Sequence, residues 1–199
     1  MGGRVAVLVS GSGTNLQALL DDPAIRPHIA LVLSDRPGVQ ALERAVRAGV
    51  ETLVIEPTDD RAALSNAVAD GSTQRGIDLL VSAGYMRILG SPVVDRWRNR
   101  WLNVHPALLP SFPGMHAVAE ALDAGVKVTG VTVHFVDEGV DSGPIVLQEA
   151  IEVRDDDDWD SLESRIHAAE HRLLPRAVRA LLEDRIVVDG RTVTIRDDP

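Results

Sequence analysis

Short apolar blocks alternate with amphipathic stretches through the first half of the chain. Residues 5–9, 29–33, 52–55, 79–82 and 101–104 are apolar almost throughout. Between them, residues 14–20, 41–48 and 59–69 carry helical spacing. Strands without a polar face, separated by helices, predict a parallel sheet covered on both sides, with right-handed crossovers. The pattern changes after His105. Residues 106–114 hold three prolines and a glycine and read as a loop. A short helix over 117–124 follows, then longer strands over 128–135 and 145–153 joined by a Gly/Asp loop. Residues 159–182 have helical spacing. Residues 186–188 and 193–195 flank Asp189-Gly190, the signature of a hairpin with a type I′ turn. The whole reads as an α/β protein with an open, mostly parallel sheet and helices on both faces. With no repeat and no linker, one continuous domain over 1–199 is expected.

Composition narrows the chemistry. The 199 residues are 45% hydrophobic but only 3% aromatic, so the core must rest on Ala, Val, Leu and Ile. A formal charge of -10 argues against non-specific binding to nucleic acid or an anionic membrane. Lys127 is the only lysine, which leaves little room for a Schiff base or a Walker-type loop. The absence of cysteine excludes disulfides, thiol nucleophiles and Cys-ligated metals. No signal-peptide pattern and no membrane-length apolar run stand out, so a soluble cytoplasmic protein is expected.

Three segments concentrate polar groups. Ser10-Gly11-Ser12-Gly13-Thr14-Asn15 joins the first strand to the first helix. Such a turn offers backbone amides and a helix N-terminus to an anion. It suits a phosphate better than a dinucleotide, because the third glycine of the dinucleotide fingerprint would fall at Leu16. A plain strand–helix turn is the alternative. Asn103-Val104-His105-Pro106 places Asn103 and His105 on one face at the carboxyl end of the fifth strand, where open parallel sheets bind ligands. Asn suits an oxyanion and His can move a proton, although, taken alone, this segment fits a satisfied core His better. Residues 136–144 bring Asp137, Glu138 and Asp141 into a shaped turn. A bland acidic loop is the rival reading. Calcium-loop spacing is absent, and a metal site from His105, His134 and Asp141 has no helical ligand spacing to support it. His116 reads as a cap or a ligand contact. His167 and Glu170 lie one helical turn apart, Trp97 and Trp101 read as core or interface, and the acidic 155–158 run reads as solvated loop.

Together and in this order, these segments are more specific than any one of them. With Gly84-Tyr85-Met86-Arg87-Ile88-Leu89, residues 102–110, Phe112-Pro113-Gly114, residues 130–135, Asp141-Ser142-Gly143-Pro144 and Glu170-His171, the chain resembles the folate-dependent formyltransferase family along nearly its whole length. The Thr14-Asn15 loop is similar to the branch whose formyl acceptor is glycinamide ribonucleotide, in purine synthesis. The resemblance implies a Rossmann-like sheet, twisted, with antiparallel strands toward the C-terminal part. It also implies 10-formyltetrahydrofolate as co-substrate, no metal, and a monomer or homodimer without nucleic-acid or membrane partners. By the same resemblance, Asn103, His105 and Asp141 match the catalytic trio, with Asp141 keeping His105 charged. Gly11, Ser12, Gly13, Thr14, Asn15, Met86 and Glu170 match acceptor-binding positions. Arg87, Leu89, Val136, Val140 and Asp141 match positions around the pterin, many of which act through main chain. The nucleotide half would be about 1–100 and the folate and catalytic half about 101–199.

Some positions depart from the pattern. Val118 replaces the second histidine common after the Pro-Gly turn, His167 stands where a Gln or other polar residue is usual, and Trp101 is bulkier than the usual Leu. The rivals are a formyltetrahydrofolate hydrolase, which would carry an additional N-terminal regulatory domain, and a nucleotide-binding module without chemistry. A methionyl-tRNA formyltransferase or a dinucleotide oxidoreductase fits less well.

Overall fold

The computed structural model describes residues 3–196. Met1 and Gly2, the start of the segment read as unlike a signal peptide, lie outside the described residues. Strands β1 (Val5–Val9), β2 (Ile29–Ser34), β3 (Glu51–Val54), β4 (Leu79–Ser82), β5 (Trp101–His105), β6 (Val128–Phe135) and β7 (Ile145–Glu152) form one sheet in the order β3-β2-β1-β4-β5-β6-β7. The first five are parallel. β6 then runs antiparallel to β5, and β7 to β6. Strands β8 (Ile186–Asp189) and β9 (Thr192–Ile195) pair as a separate hairpin across Gly190, whose φ is +59°.

The side-chain alternation of β1 explains its unbroken apolar run. Val5, Val7 and Val9 face one core cluster, packed by α1 (Thr14–Asp21), α2 (Gln40–Arg47) and α6 (Trp159–Leu182). Ala6 and Leu8 face a second cluster, packed by α3 (Arg61–Gln74) and the single turn α4 (Ser91–Val94). A strand buried on both faces has no use for a polar stripe. From Leu147 on, β7 at the sheet edge alternates partly or fully buried residues with exposed ones instead. Trp97 and Trp101 are core residues of the second cluster, and their indole N–H groups donate to the Ile77 carbonyl at 3.2 Å and to Ser82 Oγ at 2.9 Å. The apolar pattern leaves α4 unseen, because it spans four residues; Pro92 suits its first turn.

The acidic run is more than solvated loop. Asp158 caps α6, accepting from the Ser161 N–H at 2.9 Å in a capping box, Asp157 pairs with Arg165, and Asp155 meets Lys127 at 2.6 Å. Among the described residues no helix is long and apolar enough to cross a membrane. β1 has β2 on one side and β4 on the other, so the chain reverses its direction of winding there. Crossovers leave this point in opposite directions and open a crevice at the carboxyl ends of the strands.

Candidate active site

The turn after β1 is shaped by Gly13, at φ +72°. A Cβ there would meet Ala41 Cβ at 2.6 Å and Ala41 Cα at 2.8 Å, because α2 packs directly on the turn. The Ala41 N–H donates to the Gly11 carbonyl at 3.1 Å, and Arg44 Nε to the Ser12 carbonyl at 2.9 Å. Gly13 has no side chain to cap α1, so the first amides of the helix stay available to a ligand. Asn15 is buried and donates through Nδ2 to Glu170 Oε2 at 2.8 Å. Burial pushes the Glu170 carboxyl above its ordinary value, against the pull of Asn15 and His167. His167 Nε2 stands 4.0 Å from Glu170, and its ring stacks on His171.

A cavity of about 270 Å³ opens between these groups. Gly11, Ser12, Gly13, Thr14, Asn15, Met86 and Glu170 line it, as do Val118, Trp159 and His167. A larger depression of about 390 Å³, around Gly3, Asp78, Arg100 and Asp184, contains none of the candidate residues.

Residues 84–89 form an irregular strap beside the cavity. The Ser10 N–H donates to the Gly84 carbonyl at 3.1 Å, and the Met86 N–H to Ser10 Oγ at 2.9 Å. Arg61 Nη2 donates to the Leu89 carbonyl at 3.0 Å. The Arg87 and Leu89 N–H groups have no intramolecular acceptor among the described residues. Free main-chain donors suit a flat heterocycle. Leu89 and Val136 also pack against the second core cluster, Arg87 turns inward to Asp35, and Val140 is half-exposed on its loop. None of these four lines the 270 Å³ cavity.

The trio converges. Asn103 Nδ2 lies 3.3 Å from Asp141 Oδ1, and His105 Nδ1 lies 3.3 Å from Asp141 Oδ2. The Gly114 N–H donates to the same Oδ2 at 2.8 Å. His134, opposite Asn103 across the β5–β6 ladder, brings Nε2 within 3.2 Å of Asn103 Nδ2 and 3.5 Å of Asp141. The loop carrying Asp141 closes at its base through the Phe135 N–H and the Pro144 carbonyl (2.9 Å), and any Cβ on Gly143 would strike the Phe135 carbonyl. Asp141 itself sits at φ +50°.

Burial raises the Asp141 carboxyl, but His134, the Gly114 N–H and His105 outweigh it, so the group lies below the usual carboxylate range. Burial pushes His105 below its ordinary value; Asp141 and the Phe112 carbonyl resist without reversing the shift. The expectation that Asp141 keeps His105 charged is thus opposed by burial of the ring. His105 Nε2 lies 2.8 Å from the Phe112 carbonyl while Nδ1 faces Asp141. Only an imidazolium donates to both acceptors, so the ring is poised between burial and its partners.

Sequence reasoning considers His134 only as a metal ligand, although antiparallel pairing of β5 with β6 puts it opposite Asn103. It misses Asp35 and the contributions of the Phe112 carbonyl and the Gly114 N–H. His116 occupies the N-cap of α5 (Ala117–Asp123) without a side-chain cap bond.

The sequence pattern of the formyl transferase family matches residues 3–178. The trifunctional purine biosynthetic protein adenosine-3 of Drosophila melanogaster is 49% identical over 90% of this chain, but the match covers only 14% of that protein. The phosphoribosylglycinamide formyltransferase of Mycobacterium tuberculosis is 46% identical, over 96% of this chain and 91% of its own. The crystal structure of glycinamide ribonucleotide transformylase 1 from Symbiobacterium toebii superposes with a TM-score of 0.94 at 48% identity, covering 98% of this chain and 95% of that one.

Proposed function

The chain belongs to the formyl transferase family, and on that premise we propose that it moves a formyl group from 10-formyltetrahydrofolate to the amino group of glycinamide ribonucleotide in cytoplasmic purine synthesis. The observation that carries this reading is the convergence of Asn103, His105 and Asp141, with the intervening Val104 and the following Pro106 lining the same cavity as the glycine loop. In this reading the ribonucleotide phosphate sits on the amides of Gly11 to Asn15, Glu170 grips the ribose, and Met86 borders the glycinamide. The free amides of the 84–89 strap, with Val136 and Val140, border the pterin. Residues 1–100 then serve mainly the nucleotide, residues 101–199 the folate and the chemistry, within one domain.

The chemistry follows from the charges. The acceptor's amine attacks the formyl carbon, a new N–C bond forms, and the carbonyl oxygen becomes an oxyanion. Asn103 donates to that oxygen, and His105 shares with it an N–H now directed at Asp141 or the Phe112 carbonyl. The oxyanion's negative charge adds to the pull of Asp141 and the Phe112 carbonyl, and tips His105 to the imidazolium. Asp141 stays ionised and, through a water, passes the amine's proton to the departing folate nitrogen as the old C–N bond breaks. No covalent enzyme intermediate is required.

The test is to mix the protein with 10-formyltetrahydrofolate and follow tetrahydrofolate release with and without glycinamide ribonucleotide. Release only with the ribonucleotide is expected. Equal release without it would replace transfer by hydrolysis, and no release in either case would leave a binding module.

A further inference from the structure

The proposed mechanism makes no use of Asp35. It follows the last residue of β2, and its side chain has no solvent exposure. Arg87 Nε donates to its Oδ2 at 2.7 Å, while Arg36 Nε lies 3.5 Å from Oδ1. Oδ1 has no hydrogen-bond partner among the described residues. Burial raises this carboxyl, but the Ser10 hydroxyl, Arg87 and Arg36 together hold it below its ordinary range, so it is ionised at neutral pH. Among the described residues Arg87 is the one cation hydrogen-bonded to this buried charge, so its loss would leave Asp35 only the longer Arg36 contact and the Ser10 hydroxyl.

Arg87 belongs to the 84–89 strap. That strap has no ladder of its own and takes its course from side-chain ties. Ser10 holds Gly84 and Met86 at one end, and Arg61 holds Leu89 at the other. The Asp35–Arg87 pair is the tie between them, and Arg87 is the residue whose own amide is free on the donor side. Ser10 also opens the acceptor loop, so one polar knot beneath the sheet edge holds the acceptor-facing and donor-facing parts of the strap together.

We propose that Asp35 is a positioning residue for the formyl donor, fixing the strap's main chain through Arg87 without touching either substrate. This rests on the reading of residues 84–89 as the donor-binding strap. The pair explains why Arg87 works through its backbone: its side chain is committed inward.

The test uses the full chain and Asp35→Asn, which keeps the shape and removes the charge. KM for 10-formyltetrahydrofolate is expected to rise about tenfold or more, since a misplacement of about 1 Å can cost as much as about 10²-fold. Turnover at saturating donor and KM for glycinamide ribonucleotide should stay within about twofold. Binding of a 5-deaza folate analogue, read by calorimetry, should weaken in parallel. Arg87→Met should reproduce the loss, and the Asp35→Asn/Arg87→Met double variant should be no worse than either single change, the signature of a pair acting as a unit. Unchanged donor KM and analogue affinity in a folded Asp35→Asn protein would overturn the proposal, as would equal loss of affinity for both substrates. If Asp35→Asn fails to fold, Asp35→Glu, which keeps the charge but shifts it by one methylene, decides by the same criteria. A wild-type protein without transferase activity would instead sink the functional reading on which the proposal rests.

Discussion

The loop proposed for the acceptor follows a parallel strand, whereas the loop proposed for catalysis joins two antiparallel strands and leaves β6 beside Trp101 at the start of β5, and the two are made of different material. The first is main chain: a left-handed glycine, the start of a helix, and a neighbouring alanine pressed against it. The second is side chain: an amide, two imidazoles and a carboxylate within 3.5 Å of one another. A site built from backbone is damaged by adding atoms. A site built from opposed charges is damaged by removing one of them. The parallel half can offer amides because its strands feed helices. The antiparallel half can offer a cross-strand cluster because β5 and β6 set Asn103 directly opposite His134.

The largest effect should come from subtracting charge on the catalytic side. Asp141→Asn keeps the shape, and Asn tolerates φ +50° as well as any non-glycine residue. Turnover should fall about 10²–10³-fold, on the scale of a lost oxyanion donor, with KM for both substrates little changed. Steady-state kinetics check this; near-normal turnover would remove the trio from the mechanism.

Adding atoms to the acceptor loop should do less. Gly13→Ala places a Cβ in a left-handed residue, costing about 1–2 kcal/mol, and drives it into Ala41. Affinity for the ribonucleotide should drop roughly tenfold while donor affinity holds, and Ala41→Gly in the same chain should restore part of it. If the second substitution restores nothing, the loop's shape does not come from its packing on α2.

The smallest effects are in stability against pH, and the two regions should differ in sign. Glu170 is raised in the folded state, so its contribution is full below the unfolded value of about 4.3 and is lost as pH rises through the folded value. Glu170→Gln should therefore gain on the wild type with rising pH, by at most about 1.4 kcal/mol per pH unit. His105 is lowered in the folded state, so its contribution is present above about 6.5 and lost as pH falls toward the folded value. His105→Gln should gain on the wild type in the opposite direction. Denaturant unfolding across pH reads both slopes, and slopes of the same sign would break the contrast.

The sheet was legible because the apolar character of its central strands is written into a few consecutive residues each. The glycine loop and the Asn103–His105 spacing were legible for the same reason: each is a local pattern. The buried pair of Asp35 and Arg87 was not, because 52 residues separate its partners and only the β1–β4 neighbourhood brings them together. The downward push of burial on His105 was also hidden. A carboxylate nearby in sequence-derived reasoning says nothing about how much water the fold removes. Glycine at position 13 could be read as room for a ligand; that it also makes room for Ala41 follows only from the packing of α2.

The closure at the base of the catalytic loop has a consequence for redesign. Phe135 and Pro144 join across the neck, and Gly143 fits beneath the Phe135 carbonyl where no other residue would. Residues 136–142 thus hang from a fixed clasp like an interchangeable part. A segment of different length or polarity grafted between those anchors would leave the register of β6 and β7 untouched, provided an aspartate still reaches back over the strand ends. Such a cassette exchange offers a route to new donor preferences on an unaltered scaffold.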